Sequence, residues 1–399
     1  MNRRIRAMYE ERQVRWTIIS MAMGAFAIGV SEFAAMGLLP YYAMDLGVTE
    51  PVAGHAISGY ALGVVIGAPV LAVLGARVPR KTMLACLIGF FAFANFLAAL
   101  MPSMMALTAT RVLAGLPHGA YLGIAMLFAA DLLPKGRRAA GVAQVMLGLT
   151  LANVVGVPTA GAIGQLLGWR SLFIIVTGIA LLSLVMILKN APFEHADDTA
   201  SPLRELGALK NRAVWLTLLV GAVGFGGVFA VYSFLSAAML ATTQAPSWAI
   251  PMALSAFGVG ATFGNMVAGK LASWSRFGGA LVLLGGMAVV PLLYTLVMGN
   301  WPLMVASMLL LGMTAGLVIP LQMRLMDVAG DAQTLAAVLN HAAFNFANAM
   351  GPYLAGLALS AGYGWGSTGI VGATLACGGI LVLGLAFADS RRTPRTVCA

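Results

Sequence analysis

The sequence has 399 residues, of which 60% are hydrophobic and only 9% charged, whereas soluble globular chains carry about 25% charged residues. The apolar residues come in long runs, which excludes an ordinary soluble enzyme and implies a polytopic membrane protein. The net charge of +10 does not point to nucleic acid, because the cations sit in short segments between the apolar runs.

Twelve membrane spans are expected. The first six are 16–40, 53–75, 82–101, 104–128, 140–164 and 171–188; the second six are 213–240, 250–273, 279–298, 303–322, 334–360 and 367–388. With residues 1–15 as a cytoplasmic tail, 21 of the 23 Lys and Arg fall on the cytoplasmic side. That bias follows the positive-inside rule and places both termini in the cytoplasm, residues 389–399 forming the second tail. The charged first 15 residues and the length of the first apolar run indicate an uncleaved signal-anchor helix. Residues 189–212 are charged and poor in apolar side chains, and are expected to link two six-helix halves, 16–188 and 213–388.

Span 1 contains Glu32, the single acidic residue placed at membrane depth. An acid near a bilayer centre costs roughly 2.5–3.5 kcal/mol on insertion scales, so it is rarely present without a partner or a function. Span 2 ends in a basic loop with Arg77, Arg80 and Lys81. Span 4 carries Arg111 and, seven residues on, His118, expected on one helix face beside the small residues Ala114, Gly115 and Gly119. Arginine supplies a fixed positive charge and histidine a group that titrates near neutral pH. Span 5 has Gly156-Val157-Pro158 followed by Gly161; the proline is expected to free a carbonyl and bend the helix. Span 11 places His341, Asn345 and Asn348 on one face, where contact with lipid would be costly. They therefore face either a cavity, as substrate-binding groups, or another helix, as packing hydrogen bonds. Tyr232, Phe229 and Met36 are apolar or aromatic candidates for the same cavity.

The halves repeat in sequence. Gly24, Gly29, Gly63, Gly67, Gly115 and Gly119 recur 197 positions later, and the Ala152-Asn153 pair with Gly156 and Gly161 recurs 195 positions later. Glu32, Arg111 and His118 map onto Phe229, Met308 and Ala315, so the ionisable groups occur once while the glycines occur twice. Both halves start on the same side of the membrane, the parallel-repeat arrangement associated with alternating access.

The chain resembles a twelve-helix drug:proton antiporter of the major facilitator superfamily, most closely its arabinose efflux permease-like branch. The residues that carry the likeness are Ser31-Glu32-Phe33 with Gly37-Leu38-Leu39-Pro40, Gly67-Ala68-Pro69, the basic loop, Arg111 to Gly119, Gly156-Val157-Pro158, Gly168-Trp169-Arg170 and Leu321 to Arg324. It departs from the family's loop motif at Ala76, where an acid is usual, and at Pro79, where a glycine is usual. The resemblance implies an all-α membrane fold in two six-helix repeats and proton-coupled export of a small molecule. It also implies a proton-carrying acid on the first helix, here Glu32, with the basic loop and the span 5 glycines in gating.

The resulting expectation is a monomeric secondary transporter of a bacterial inner membrane. Glu32 is assigned to protons and substrate, Arg111 and His118 to proton coupling, and Tyr232, His341, Asn345 and Asn348 to substrate. Arg77, Arg80, Lys81, Gly156, Pro158 and Gly161 are assigned to conformational change. Importers, facilitators and non-transporting receptors are the alternatives. No phosphate-cradling loop, metal-ligand spacing or nucleophile motif is present, so no enzyme activity, cofactor, metal or nucleic-acid partner is expected.

Overall fold

A computed structural model describes residues 3–75, 78–134, 137–192, 211–329 and 333–392. Among these the secondary structure is helical and contains no strand. Eleven helices are long and apolar enough to cross a bilayer: α1 (Glu11–Gly37), α2 (Glu50–Leu71), α3 (Arg80–Leu100), α4 (Met104–Asp131), α5 (Ala140–Leu167), α6 (Arg170–Asn190), α7 (Arg212–Thr242), α8 (Ala249–Trp274), α9 (Arg276–Leu296), α10 (Trp301–Val328) and α12 (Ser367–Arg391). The remaining expected span forms a 28-residue helix, α11 (Gln333–Ser360). It is more polar than the rest because Asn340, His341, Asn345 and Asn348 interrupt its apolar run.

Local chemistry sets several boundaries. Ser103, Asn211, Ser275 and Asn300 cap α4, α7, α9 and α10, each accepting a backbone N–H of the first turn. Gly168 and Gly299 hold φ of 88° and 93° in two of the short turns, a conformation that side chains disfavour. The linker expected over 189–212 falls largely outside the described residues, as does Arg77.

The sequence repeat is a repeat of packing. In the first half α2 crosses α4 so closely that a Cβ on Gly63 would strike the Val112 carbonyl, and one on Gly115 would strike the Tyr60 carbonyl. In the second half α8 crosses α10 with Gly260 against the Leu309 carbonyl and Gly312 against the Phe257 carbonyl. Each of these four positions is the other half's residue shifted by 197. Glycine is needed there because backbone meets backbone.

Ion pairs repeat too. Arg80 at the start of α3 pairs with Asp131 at the end of α4 at 2.5 Å, and Arg276 at the start of α9 pairs with Asp327 at the end of α10 at 3.3 Å. Lys81 donates to the Ala191 carbonyl after α6 at 2.7 Å. Arg80 and Lys81, expected to gate, thus bind partners inside the first half.

At the end of the bundle opposite the chain termini, Asp45 accepts hydrogen bonds from Arg170 at 2.5 Å and from the Trp169 indole at 3.0 Å. Arg170 also stacks on Trp169 and donates to the Met101 carbonyl. This bracket ties the α1–α2 connection to the ends of α3 and α6. The Arg170 and Trp169 hydrogen bonds hold the Asp45 carboxyl below the usual carboxylate range.

The halves meet along α2 with α11 and along α5 with α8. Ser58 donates to the Ala349 carbonyl at 2.9 Å, and the rings of His55 and Tyr353 lie 6.4 Å apart. Gly161 of α5 faces Leu254 of α8, and Gly258 of α8 abuts the backbone of Asn153. Met36 of α1 receives a hydrogen bond from Ser233 of α7 at 3.6 Å. These two residues are 197 positions apart, so the contact lies on the axis relating the repeats.

Candidate functional site

The interface between the halves encloses the polar groups that the sequence singled out. Glu32 is 6% exposed, and its Oε1 accepts a hydrogen bond from Asn348 Nδ2 at 2.8 Å. Asn348, 1% exposed, belongs to the other half, so this bond runs from α1 to α11. A buried carboxyl is costly unless hydrogen-bonded, and here a neutral amide of the opposite repeat supplies the bond.

Arg111 is 1% exposed and lies behind Glu32 rather than on it. Its guanidinium donates to Ser31 Oγ at 2.9 Å and to the Ser31 carbonyl at 3.1 Å, one residue before the acid. Ser31 Oγ in turn donates to Asn95 Oδ1 at 2.7 Å, and Asn95 Nδ2 is anchored on the Phe91 carbonyl. The cation is enclosed by two rings, 4.2 Å from the Tyr60 centroid and 5.5 Å from that of Phe173. No Arg111–Glu32 ion pair forms among the described residues. Arg111 therefore holds the backbone of the acid's own turn and supplies its field from the side.

The expectation that Arg111 and His118 share one unbroken helical face changes in a specific way. α4 breaks at Leu116-Pro117, because a proline cannot donate to the preceding turn, and restarts at His118. The two side chains are joined instead by Tyr60, whose hydroxyl lies 3.0 Å from His118 Nδ1 while its ring carries Arg111.

On the other side of Glu32 the neighbours are aromatic. Phe33 contacts Phe229 at 6.4 Å and Tyr232 at 5.9 Å between centroids. Tyr232 packs on Phe257, and Phe225 joins Phe229 to Phe344 of α11. Asn345 Nδ2 donates to the His341 carbonyl of its own helix at 3.0 Å, so His341 meets Asn345 through its backbone.

Span 5 differs from the expected simple bend. Pro158 leaves Val154 without its usual donor, and the helix widens into a π turn over Ala152–Gly156, with Val157 N–H bonding the Ala152 carbonyl five residues back. The matching Gly351-Pro352 of α11 passes through continuous α-helix.

Sequence reasoning gave no role to Tyr60, Asn95 or Phe173, and quoted Ser31 only as a neighbour of the acid. Asn95 is the lone amide of span 3 and could have been flagged on polarity alone. Tyr60 could not, since its role depends on α2 and α4 touching. The Arg80–Asp131 and Arg276–Asp327 pairs were visible as charges repeating at a spacing of 196.

A solved structure of a mutant of the nucleoside transporter NupG superimposes with a TM-score of 0.74 over 94% of this chain and 100% of that one, at 13% identity, which speaks for the fold. The inner membrane transport protein YdhP of Escherichia coli is 36% identical over 97% of this chain and 99% of its own length. A chloramphenicol resistance protein of Streptomyces lividans is 34% identical over 95% of this chain and 97% of its own. Residues 21–329 match the model of the Major Facilitator Superfamily. Glycine crossings that occur once in each half, a buried polar cluster between two helical halves and relatives aligned end to end lead to one assignment: the chain belongs to the major facilitator superfamily of membrane transporters.

Proposed function

We propose that this protein exports a small molecule across the bacterial inner membrane in exchange for protons, with Glu32 as the proton carrier and the chamber around it as the substrate site. The observation that carries the reading is the Glu32–Asn348 hydrogen bond. The buried acid of one half is held by the other half, so a change in its charge changes how the halves adhere. Arg111 fixes the turn that presents Glu32, and His118 acts on it through Tyr60. Asn345, Asn348 and Tyr232 contact the substrate, with His341 at the chamber's edge.

In this reading the termini are cytoplasmic, 16–188 and 213–388 rock as two bodies joined by 189–212, and the Asp45 bracket lies outside. The π turn with Gly156, Pro158 and Gly161 forms the yielding side of the α5–α8 contact. Arg80 and Lys81 brace the first half as it moves, and Arg77 belongs with them to the basic loop by sequence alone. Export rather than uptake is supported by the relative named for chloramphenicol resistance and by the proline-glycine segment of α5.

The test is a substrate screen in inverted vesicles carrying a proton gradient, read as ligand-evoked collapse of the pH difference. Glu32→Gln is expected to abolish the collapse while leaving ligand binding detectable. Normal uphill export by that variant would sink the proposal.

A further inference from the structure

Three buried side chains on three helices form a directed chain behind Glu32. Asn95 of α3 donates through Nδ2 to the Phe91 carbonyl of its own helix at 2.8 Å, so its amide cannot turn over and its oxygen is fixed toward Ser31. Ser31 of α1 gives its one proton to that oxygen at 2.7 Å, which leaves only lone pairs of its Oγ for Arg111 of α4. Arg111 donates to them at 2.9 Å, and to the Ser31 carbonyl at 3.1 Å.

Arg111 has a stronger partner within one residue of the one it uses. A hydrogen bond from a guanidinium to a carboxylate is roughly twice as strong as one between neutral groups, and a bidentate pair is stronger still. Yet among the described residues Arg111 and Glu32 form no ion pair, and the Arg111 Nε is buried without a hydrogen-bond partner. The Asn95–Ser31 bond and the Tyr60 and Phe173 rings hold the cation where it is.

Packing of the fold does not require this chain. Shifted by 197, Ser31, Tyr60 and Arg111 become Val228, Phe257 and Met308, and Asn95 becomes Pro291 by the spacing of 196 that relates α3 to α9. The second half makes the matching α8–α10 crossing with apolar residues at all four places, each of them buried. The polar chain occurs only in the half that carries the acid.

We infer that Ser31 and Asn95 are positioning residues that keep Arg111 on the backbone of the acid's turn and off its carboxylate, so that Glu32 is free to take up and give back a proton. The inference takes from the proposed function only that Glu32 exchanges a proton. Among the described residues the other titratable groups around the acid are Tyr60 of α2, His118 of α4, Tyr232 of α7 and His341 of α11, with Tyr42 in the field of the same guanidinium. Arg111 is the one among them that is charged at every working pH.

The experiment is an infrared pH titration of the full chain in detergent, without substrate or gradient, following the protonated-carboxyl band that Glu32→Gln removes. Ser31→Ala and Asn95→Leu each release the guanidinium toward the carboxylate. Each is expected to lower the proton affinity of Glu32 about tenfold, moving the midpoint about one unit toward acid. Ser31→Thr keeps the hydroxyl and is expected to titrate with the parent. In an Arg111→Met background Ser31→Ala is expected to move nothing, because no cation is left to swing. Where one variant fails to fold, the others decide. The inference is overturned if the midpoints of Ser31→Ala and Asn95→Leu stay with the parent or move toward alkali, if they move as far without Arg111, or if Glu32→Gln removes no band at any pH. Normal uphill export by Glu32→Gln in vesicles would sink the proposed function and leave a shifted midpoint standing, whereas an unmoved midpoint would sink this inference alone.

Discussion

Tyr60 is the residue on which the charged part of the buried cluster turns. Its ring lies under Arg111 and its hydroxyl meets His118, so one side chain serves two groups on either side of the break in α4. Tyr60→Phe keeps the ring and removes the hydroxyl. It is expected to lower stability by about 1 kcal/mol, because His118 Nδ1 loses its partner while Arg111 keeps its stacking. Thermal unfolding in detergent reads this, and a loss as large as that of Tyr60→Ala would mean that the hydroxyl, not the ring, carries the contact. At this scale the sequence exposed the costly residues and concealed their partners. Glu32, Arg111 and Asn348 stood out because a polar group inside an apolar run needs a reason. That Glu32 bonds Asn348, 316 positions away, and that Arg111 bonds the acid's neighbour instead of the acid, depends on helix rotation, which spacing does not fix.

Among the elements, the most legible were those governed by backbone contact. The glycine spacing marked where α2 meets α4 and where α8 meets α10, since only a residue without Cβ permits those crossings. Gly115→Ala and Gly312→Ala are each expected to cost about 1–3 kcal/mol, because the added methyl meets a carbonyl that belongs to the neighbouring helix. The crossings lie in different halves and share no partner, so the double variant should show the sum within about 0.5 kcal/mol. Strong non-additivity in denaturation would mean that the two crossings are energetically coupled across the halves. The π turn of α5 was not legible, for a proline predicts a missing hydrogen bond but not whether the helix bends or widens. Charge gives the loops a pH dependence with a definite sign. Asp45 titrates below its ordinary value when folded, so its contribution is complete above about pH 3.9 and fades as the pH falls through the folded value. Both partners are partly exposed, and Asp45→Asn should lower stability by less than about 1 kcal/mol near neutrality. The difference between variant and parent should shrink on acidification, and a difference that grows would contradict the bracket.

For the whole molecule, the α2–α11 contact must open if Glu32 is to be reached from the side away from the termini. With the native cysteines replaced, Ser58→Cys and Ala349→Cys joined by a short bifunctional thiol reagent are expected to stop ligand-evoked proton movement, and a reducible linker should restore it on cleavage. Full activity in the linked protein would mean that this contact does not part during the cycle.

The hydrogen bond from Asn348 to Glu32 also limits what one proton can do. A hydrogen bond to an ionised carboxylate is worth about 1.5–3 kcal/mol, and one to the neutral acid about 0.5–1.5 kcal/mol. If Glu32 carries the proton as proposed, its protonation loosens Asn348's hold by about 1–1.5 kcal/mol instead of releasing it, a shift of about tenfold in the equilibrium between two arrangements of the halves. A hydrogen bond of that size biases the cycle but does not lock it, so a carrier relying on Glu32 alone would be a leaky one. On the proposed exchange, tight coupling then requires that the arriving substrate supply the rest of the bias, at the same amide that holds the acid.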